Sequence, residues 1–257
     1  MKIRLSIKQL NSNVNLTKKM NDPTIESDVM NRMVKKIALS WSGGKDGCMA
    51  LHKLIQQGHE IVCLITTVPA EIGRTFGHGE KMEAIQFQSE ALGIPVHFIE
   101  CTFEGYTQSF IDALKHLKKK YSLTSAAFGD LYLDEHRTWG EKVTDSAGVE
   151  ALYPLWMEKK EAAQALQAFA NSGYKAVIIR TQNDVLDDTW LGKEIDQELI
   201  ERMHSQPICP MGEAGEYHTF VFDGPLFKKT IELRFGEKLQ METTTRLELE
   251  DLTMISK

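Results

Sequence analysis

The run Ser42-Gly43-Gly44-Lys45-Asp46 brings together residue types suited to chemistry on a polyphosphate. Glycines let the backbone approach an anion closely, a lysine neutralises phosphate charge, and an aspartate can hold the Mg²⁺ that travels with a nucleotide triphosphate. The run follows a short apolar stretch, residues 37–39, and opens an amphipathic one. Its free N–H groups and the helix dipole would therefore face the anion. It matches neither G-x-x-x-x-G-K-[ST] nor G-x-G-x-x-G. The other reading of the same residues is a plain strand-to-helix turn with solvated charges, Asp46 helping the helix start.

A second segment, residues 212–225, reads Gly-Glu-Ala-Gly-Glu-Tyr-His-Thr-Phe-Val-Phe-Asp-Gly-Pro. Glu213 and Glu216, three apart in a glycine-rich turn with His218 close by, could bind an amine-bearing substrate, orient ammonia or move a proton. Read without chemistry, the segment is a surface turn with solvated glutamates leading into a half-buried strand at 217–222.

The elements that must position these groups follow from periodicity. Short apolar runs alternate with amphipathic stretches from residue 35 onward, the pattern of a parallel sheet covered by helices. Strands are expected at 37–39, 61–65, 95–99, 125–128 and 176–179. Helices are expected at 48–57, from Met82 to a stop at Gly93, around Phe110 to Tyr121, and around Ala162 to Phe169. Beyond residue 180 the pattern changes, with a helix on Ile195, Leu199 and Met203 before the strand at 217–222. The expected organisation is a polar extension at 1–33, a nucleotide-binding domain at 34–140 and a C-terminal substrate-binding lobe at 141–257.

Composition is that of an ordinary globular chain, 42% hydrophobic and 26% charged over 257 residues. A net charge of -6 gives no global attraction to nucleic acid. The basic run Lys118-Lys119-Lys120 closes a helix, where lysines suit the dipole. Cys48, Cys63, Cys101 and Cys209 form no C-x-x-C pair, which argues against a zinc site or a disulfide framework and for a reducing cytoplasm. No stretch approaches the ~20 apolar residues of a membrane span, and no signal-peptide core opens the chain.

The loop resembles the S-G-G-x-D-S pyrophosphate loop of the N-type ATP pyrophosphatases, with Gly47 in place of the final serine. Residues 212–225 are similar to the G-E-x-G-E-[YF]-x-T-F-V-x-D-G-P block of the diphthine–ammonia ligases. Agreement with that family extends over residues 34–235. It includes residues 88–95, Gly129-Asp130, Tyr153-Pro154-Leu155-Trp156, residues 186–193 and Ile195-Asp196.

The resemblance implies an α/β fold of the adenine nucleotide alpha-hydrolase type, a parallel five-stranded sheet flanked by helices, followed by a smaller C-terminal α+β lobe. It implies ATP and Mg²⁺ as cofactors, the metal on Asp46, and adenylation of a carboxylate followed by attack of ammonia. Lys45, Asp46, Glu213 and Glu216 are the expected catalytic residues. Ser40, Ser42, Gly43, Gly44, Lys45, Asp46, Gly47, His78, Gly129 and Asp130 would bind ATP, with Thr66 and Thr67 added from strand position alone. Gly212, Glu213, Gly215, Glu216, His218, Thr219, Trp190 and Lys193 would face the substrate. Trp190 is also the kind of large aromatic that is usually buried packing.

The implied carboxylate rides on elongation factor two in archaea and eukaryotes. Elsewhere the shorter members act on something else, and Phe128-Gly129-Asp130-Leu131-Tyr132-Leu133-Asp134 looks more like those. A homo-oligomer is compatible with the pattern. Two rival readings are a non-catalytic nucleotide sensor, which Gly47 keeps open, and a tRNA-modifying ATP pyrophosphatase, which the acidic charge disfavours.

Overall fold

A computed structural model describes residues 34–257; the 1–33 extension lies outside the described residues. Strands β1 (Lys36–Ser40), β2 (Glu60–Pro69), β3 (Val96–Cys101), β4 (Ser125–Ala127) and β5 (Glu150–Leu152) form a parallel sheet in the order β3-β2-β1-β4-β5. The chain steps outward from β1 through β2 and β3, then returns to the other side of β1 for β4. The crevice beyond the carboxyl ends of β1 and β4 is therefore the topological switch point, where open α/β sheets bind ligands.

Strand alternation sets the layers. Ile37, Leu39 and Leu64 face α1 (Lys45–Gln56) and α2 (Met82–Leu92), packing on Leu51, Leu54 and Ile85. Ala38, Cys63 and Ile65 point the other way, against Phe110 and Leu114 of α3 (Tyr106–Tyr121) and Val143 of α4 (Asp134–Ala147). Leu51 and Leu114 are both fully buried, so truncating either to alanine would cost roughly 2–5 kcal/mol.

A second sheet, in the order β7-β6-β9-β8, is built from β6 (Lys175–Gln182), β7 (Tyr217–Asp223), β8 (Lys229–Gln240) and β9 (Thr244–Ser256), all paired antiparallel. Helices α5 (Ala162–Ala170) and α6 (Gln197–His204) complete this half. One apolar cluster runs from Leu39 and Leu51 through Ile178 and Val221, so the two sheets share a core.

Three expectations are corrected. The strand expected at 176–179 forms, but in the antiparallel sheet; the fifth parallel strand is β5. The helix expected at 48–57 begins at Lys45, because extended Gly44 is its N-cap, and this places Lys45 and Asp46 in the first turn. The residue-140 boundary falls inside α4, and the parallel sheet takes its last strand after it. Among the described residues no helix is long and apolar enough to cross a membrane.

Candidate active site

The loop after β1 is docked on the start of β7. Val221 N donates to Gly43 O at 2.9 Å, and Lys45 N donates to Thr219 Oγ1 at 3.0 Å. Gln88 reinforces the joint from α2: its Nε2 donates to Gly43 O at 2.9 Å and Val221 O at 2.7 Å, while its Oε1 accepts from Trp41 Nε1 at 2.9 Å. Gly43 has φ +85°, a conformation that disfavours side chains. A Cβ on Gly44 would stand 2.6 Å from His78 Cε1 and 3.2 Å from Thr219 O. The contact between loop and strand thus requires both glycines.

Lys45 does not stand at a solvent-open helix start, as its position in sequence suggested. It is 2% exposed. Its Nζ donates to Met211 O at 2.6 Å and to Asp46 Oδ2 at 3.0 Å, and lies 4.8 Å from the centroid of Tyr217. Burial works against the ammonium, but Asp46, Tyr217 and Glu213 outweigh it and hold its pKa above the ordinary lysine value. Asp46 shows the converse balance: burial and the neighbouring Asp130 raise its carboxyl against the pull of Lys45. Asp46 Oδ1 is buried with no hydrogen-bond partner.

His78 and His218 lie side by side at the loop, ring centroids 4.5 Å apart. His78 Nδ1 donates to Thr219 O at 3.2 Å, so its neutral ring leaves Nε2 as the acceptor. Burial, with Arg180 and Lys45 nearby, drives His218 down to about 4 and His78 well below its ordinary value, so both are neutral at pH 7. Arg180, absent from the sequence reading, donates to Gly77 O at 2.6 Å.

The two glutamates of the 212–225 segment differ. Glu216, 9% exposed, accepts from Cys209 N at 3.1 Å and Ala214 N at 3.0 Å and so closes its own turn, which Gly212 and Gly215 allow with φ of +64° and +87°. Glu213 instead reaches across to the other sheet, accepting from Leu131 N at 2.8 Å and Tyr132 N at 3.4 Å. Burial raises its pKa to about 6, partly offset by the Leu131 hydrogen bond, with Asp46 and Asp130 adding to the rise. It meets Asp130 and His136, the latter unanticipated; His136 Nδ1 is 2.9 Å from Asp130 Oδ1, and that hydrogen bond raises the imidazole.

A cavity of about 540 Å³ opens beside these groups, bounded by Ser40, Asp130 and His136 on its polar side and by Phe76, Phe103, Tyr106, Phe128 and Trp139. Its volume suits a small-molecule ligand. Phe76 and Phe103 remain 42% and 53% exposed. No single stretch of sequence announces this wall, since its aromatics come from four separate segments.

Of the remaining expected residues, Ser42 sits in the docked loop and Gly47 in the first turn of α1, against which Gly129 packs, its missing Cβ 3.1 Å from Gly47 N. Thr67 lies beside the Tyr106 phenol, whose pKa burial raises and Thr67 partly restores. Thr66 is 3% exposed and its hydroxyl donates to Trp41 O at 2.7 Å, so it serves the strand end itself. Trp190 and Lys193 are not brought to this assembly. Trp190 is 2% exposed under the Arg202 guanidinium, and Lys193 lines a separate 170 Å³ pocket with Glu194 and Asp196.

Two family models cover most of the chain: the diphthamide synthase N-terminal domain over residues 34–151 and the diphthamide synthase C-terminal domain over residues 161–254. The diphthine–ammonia ligase of Bos taurus is 30% identical over 225 residues, 76% of this chain and 82% of that protein. The Homo sapiens diphthine–ammonia ligase is 31% identical over the same shares. That of Schizosaccharomyces pombe is 27% identical over 220 residues, 77% of this chain but 36% of its own greater length. With both domain models in order and such identity over most of two relatives, this chain belongs to the diphthine–ammonia ligase family.

Proposed function

We propose that this protein is an ATP-dependent C–N ligase that adenylates a carboxylate and passes the acyl group to ammonia. The observation that carries this reading is the docking of the Ser42–Gly47 loop on residues 211–221 at the sheet's switch point, beside an aromatic cavity. The relatives' name supplies the substrates, diphthine and ammonia. Elongation factor two is the proposed carrier of the carboxylate in a source that makes diphthine.

In the first step a carboxylate oxygen bonds to the α-phosphorus of ATP and the bond to the β-phosphate oxygen breaks, releasing pyrophosphate. Ammonia then attacks the acyl carbon, AMP leaves with its bonding pair, and the nitrogen loses a proton to give the amide. The loop N–H groups at the start of α1, other than the Lys45 N–H already given to Thr219, hold the β- and γ-phosphates. Lys45, kept charged by Asp46, offsets charge growing on the leaving pyrophosphate. The rings of Tyr106 and Trp139 provide faces for the adenine.

The unpartnered Asp46 Oδ1 fits a cation, which when bound would neutralise phosphate charge. Glu213, with its raised pKa of about 6, is placed to accept the proton from ammonia, while Glu216 maintains the turn.

The test is Mg²⁺-dependent exchange of labelled pyrophosphate into ATP, with and without a cell extract as a source of carboxylates. Exchange that needs the extract and disappears in Asp46→Ala is expected. ATP binding with no exchange under any condition would sink the ligase reading in favour of a nucleotide sensor, and salt-sensitive tRNA binding would favour a tRNA-modifying pyrophosphatase.

A further inference from the structure

We propose that Asp130, His136 and Glu213 form a site for a divalent transition-metal cation of the Mn²⁺ or Zn²⁺ kind, which the protein binds without nucleotide. One donor atom from each residue lies within 4.8 Å of the others. Bonds of about 2.0–2.2 Å require donors to stand roughly 3 to 4.4 Å apart, so closure asks for movements of a few tenths of an ångström. An imidazole among two carboxylates favours Mn²⁺, Zn²⁺ or Co²⁺ over Mg²⁺ and Ca²⁺, which prefer oxygen alone.

The charge around the triad argues the same way. Asp46 Oδ1 is buried with no partner, and Asp46 interacts electrostatically with both Asp130 and Glu213. Two carboxylates meet in the triad, and the nearby Lys45 ammonium is already paired with Asp46. A divalent cation is the charge that balances the two carboxylates of the triad.

The donors come from different elements: Asp130 follows β4, His136 lies in α4, and Glu213 belongs to the turn before β7. The cation would therefore stitch the parallel sheet to the antiparallel one. His136 is 53% exposed and Asp130 24%, and both line the aromatic cavity. Coordination positions on that side stay open to water or to a ligand oxygen. The cation takes the place of the hydrogen bond between His136 and Asp130, so its uptake releases a proton at pH values where the imidazole is charged.

The experiment uses the full chain, stripped with chelator and titrated with Mn²⁺ in the absence of nucleotide. Free Mn²⁺ is followed by electron paramagnetic resonance and melting temperature is followed in parallel. One equivalent bound, a raised melting temperature and no displacement by equimolar Mg²⁺ are expected. His136→Ala, a change at an exposed position, should weaken binding at least about tenfold, and Asp130→Asn should do the same from a second element. No binding without ATP would overturn the proposal. So would binding that survives His136→Ala but not Asp46→Ala, since the cation would then belong to the phosphate loop alone. Neither readout involves turnover, so the outcome is independent of the ligase reading.

Discussion

The loop after β1 and the turn before β7 meet in one site but are built on different principles. The loop's shape is local: extended Gly44 caps α1, Gly43 takes a positive φ, and the charged pair Lys45-Asp46 follows at once. The turn contributes at a distance. Its Met211 carbonyl and Thr219 hydroxyl hold Lys45 from 166 and 174 residues away, and Glu213 reaches Leu131 across 82. The lysine that sequence places in an open phosphate loop is in fact buried by the other region. Loop and turn therefore form one electrostatic unit, and neither would hold its charges alone.

The comparison breaks most sharply at that lysine. Asp46→Ala should lower pyrophosphate exchange on the order of 10²-fold or more. Lys45→Ala should do the same and also lose about 3 kcal/mol in urea unfolding, because it strands buried partners on both sides of the joint. A Lys45→Ala protein as stable as the parent would show that the two regions do not depend on each other.

A second junction between the sheets tests the same idea through pH. Glu80, 2% exposed, is pushed up to about 7 by burial and by Glu248, with Arg74, Arg246 and Lys81 pulling the other way. Its folded form holds the proton more tightly than the unfolded chain, whose value is 4.5. The stabilisation is thus fully present below about pH 4.5 and is lost as pH rises through about 7, by up to about 3 kcal/mol. Denaturation midpoints between pH 5 and 8 should fall for the parent and flatten for Glu80→Gln; parallel curves would refute the assignment.

Glu216 and Glu213 sharpen the contrast within the turn. Glu216→Ala leaves the N–H groups of Cys209 and Ala214 without their acceptor and should cost roughly 2 kcal/mol. Glu213→Gln keeps an oxygen for Leu131 N and should change turnover far more than stability. The reverse order in melting and exchange assays would exchange their roles.

The smallest effect is expected at Gly47, inside α1. A Cβ there meets Trp41 Cε3 at 3.5 Å, Trp41 Cζ3 at 3.8 Å and Ser40 O at 3.9 Å, all ordinary contacts. Gly47→Ser should fold with a gain of about 0.5 kcal/mol from helix propensity, visible as a slight rise in denaturation midpoint. A clear loss would mean that the loop needs glycine for a reason other than space.

Much of the parallel sheet was legible because its strands are short, continuously apolar and separated by amphipathic helices. Helix α4 and the long β8–β9 hairpin were not. On α4 the buried positions include Gly140 and Thr144, which blur the 3.6-residue pattern, and the hairpin carries charged residues along an exposed face while burying Ile231, Leu247 and Leu249. Thr66, at the strand end where an adenosine contact was expected, spends its hydroxyl on Trp41 O.

By itself the sequence determined the strand-loop-helix unit at residues 36–56, the glycine-rich turn at 212–216 and the family, because these rest on neighbouring residues whose types dictate backbone shape. Only the tertiary structure decided that Lys45 is buried, that Glu213 rather than Glu216 faces Asp130 and His136, and that five aromatics from four separate segments wall one cavity. Those are contacts across many tens of residues, set by which side of β1 each later strand joins and by how the second sheet packs on the first. Local periodicity does not encode either of them.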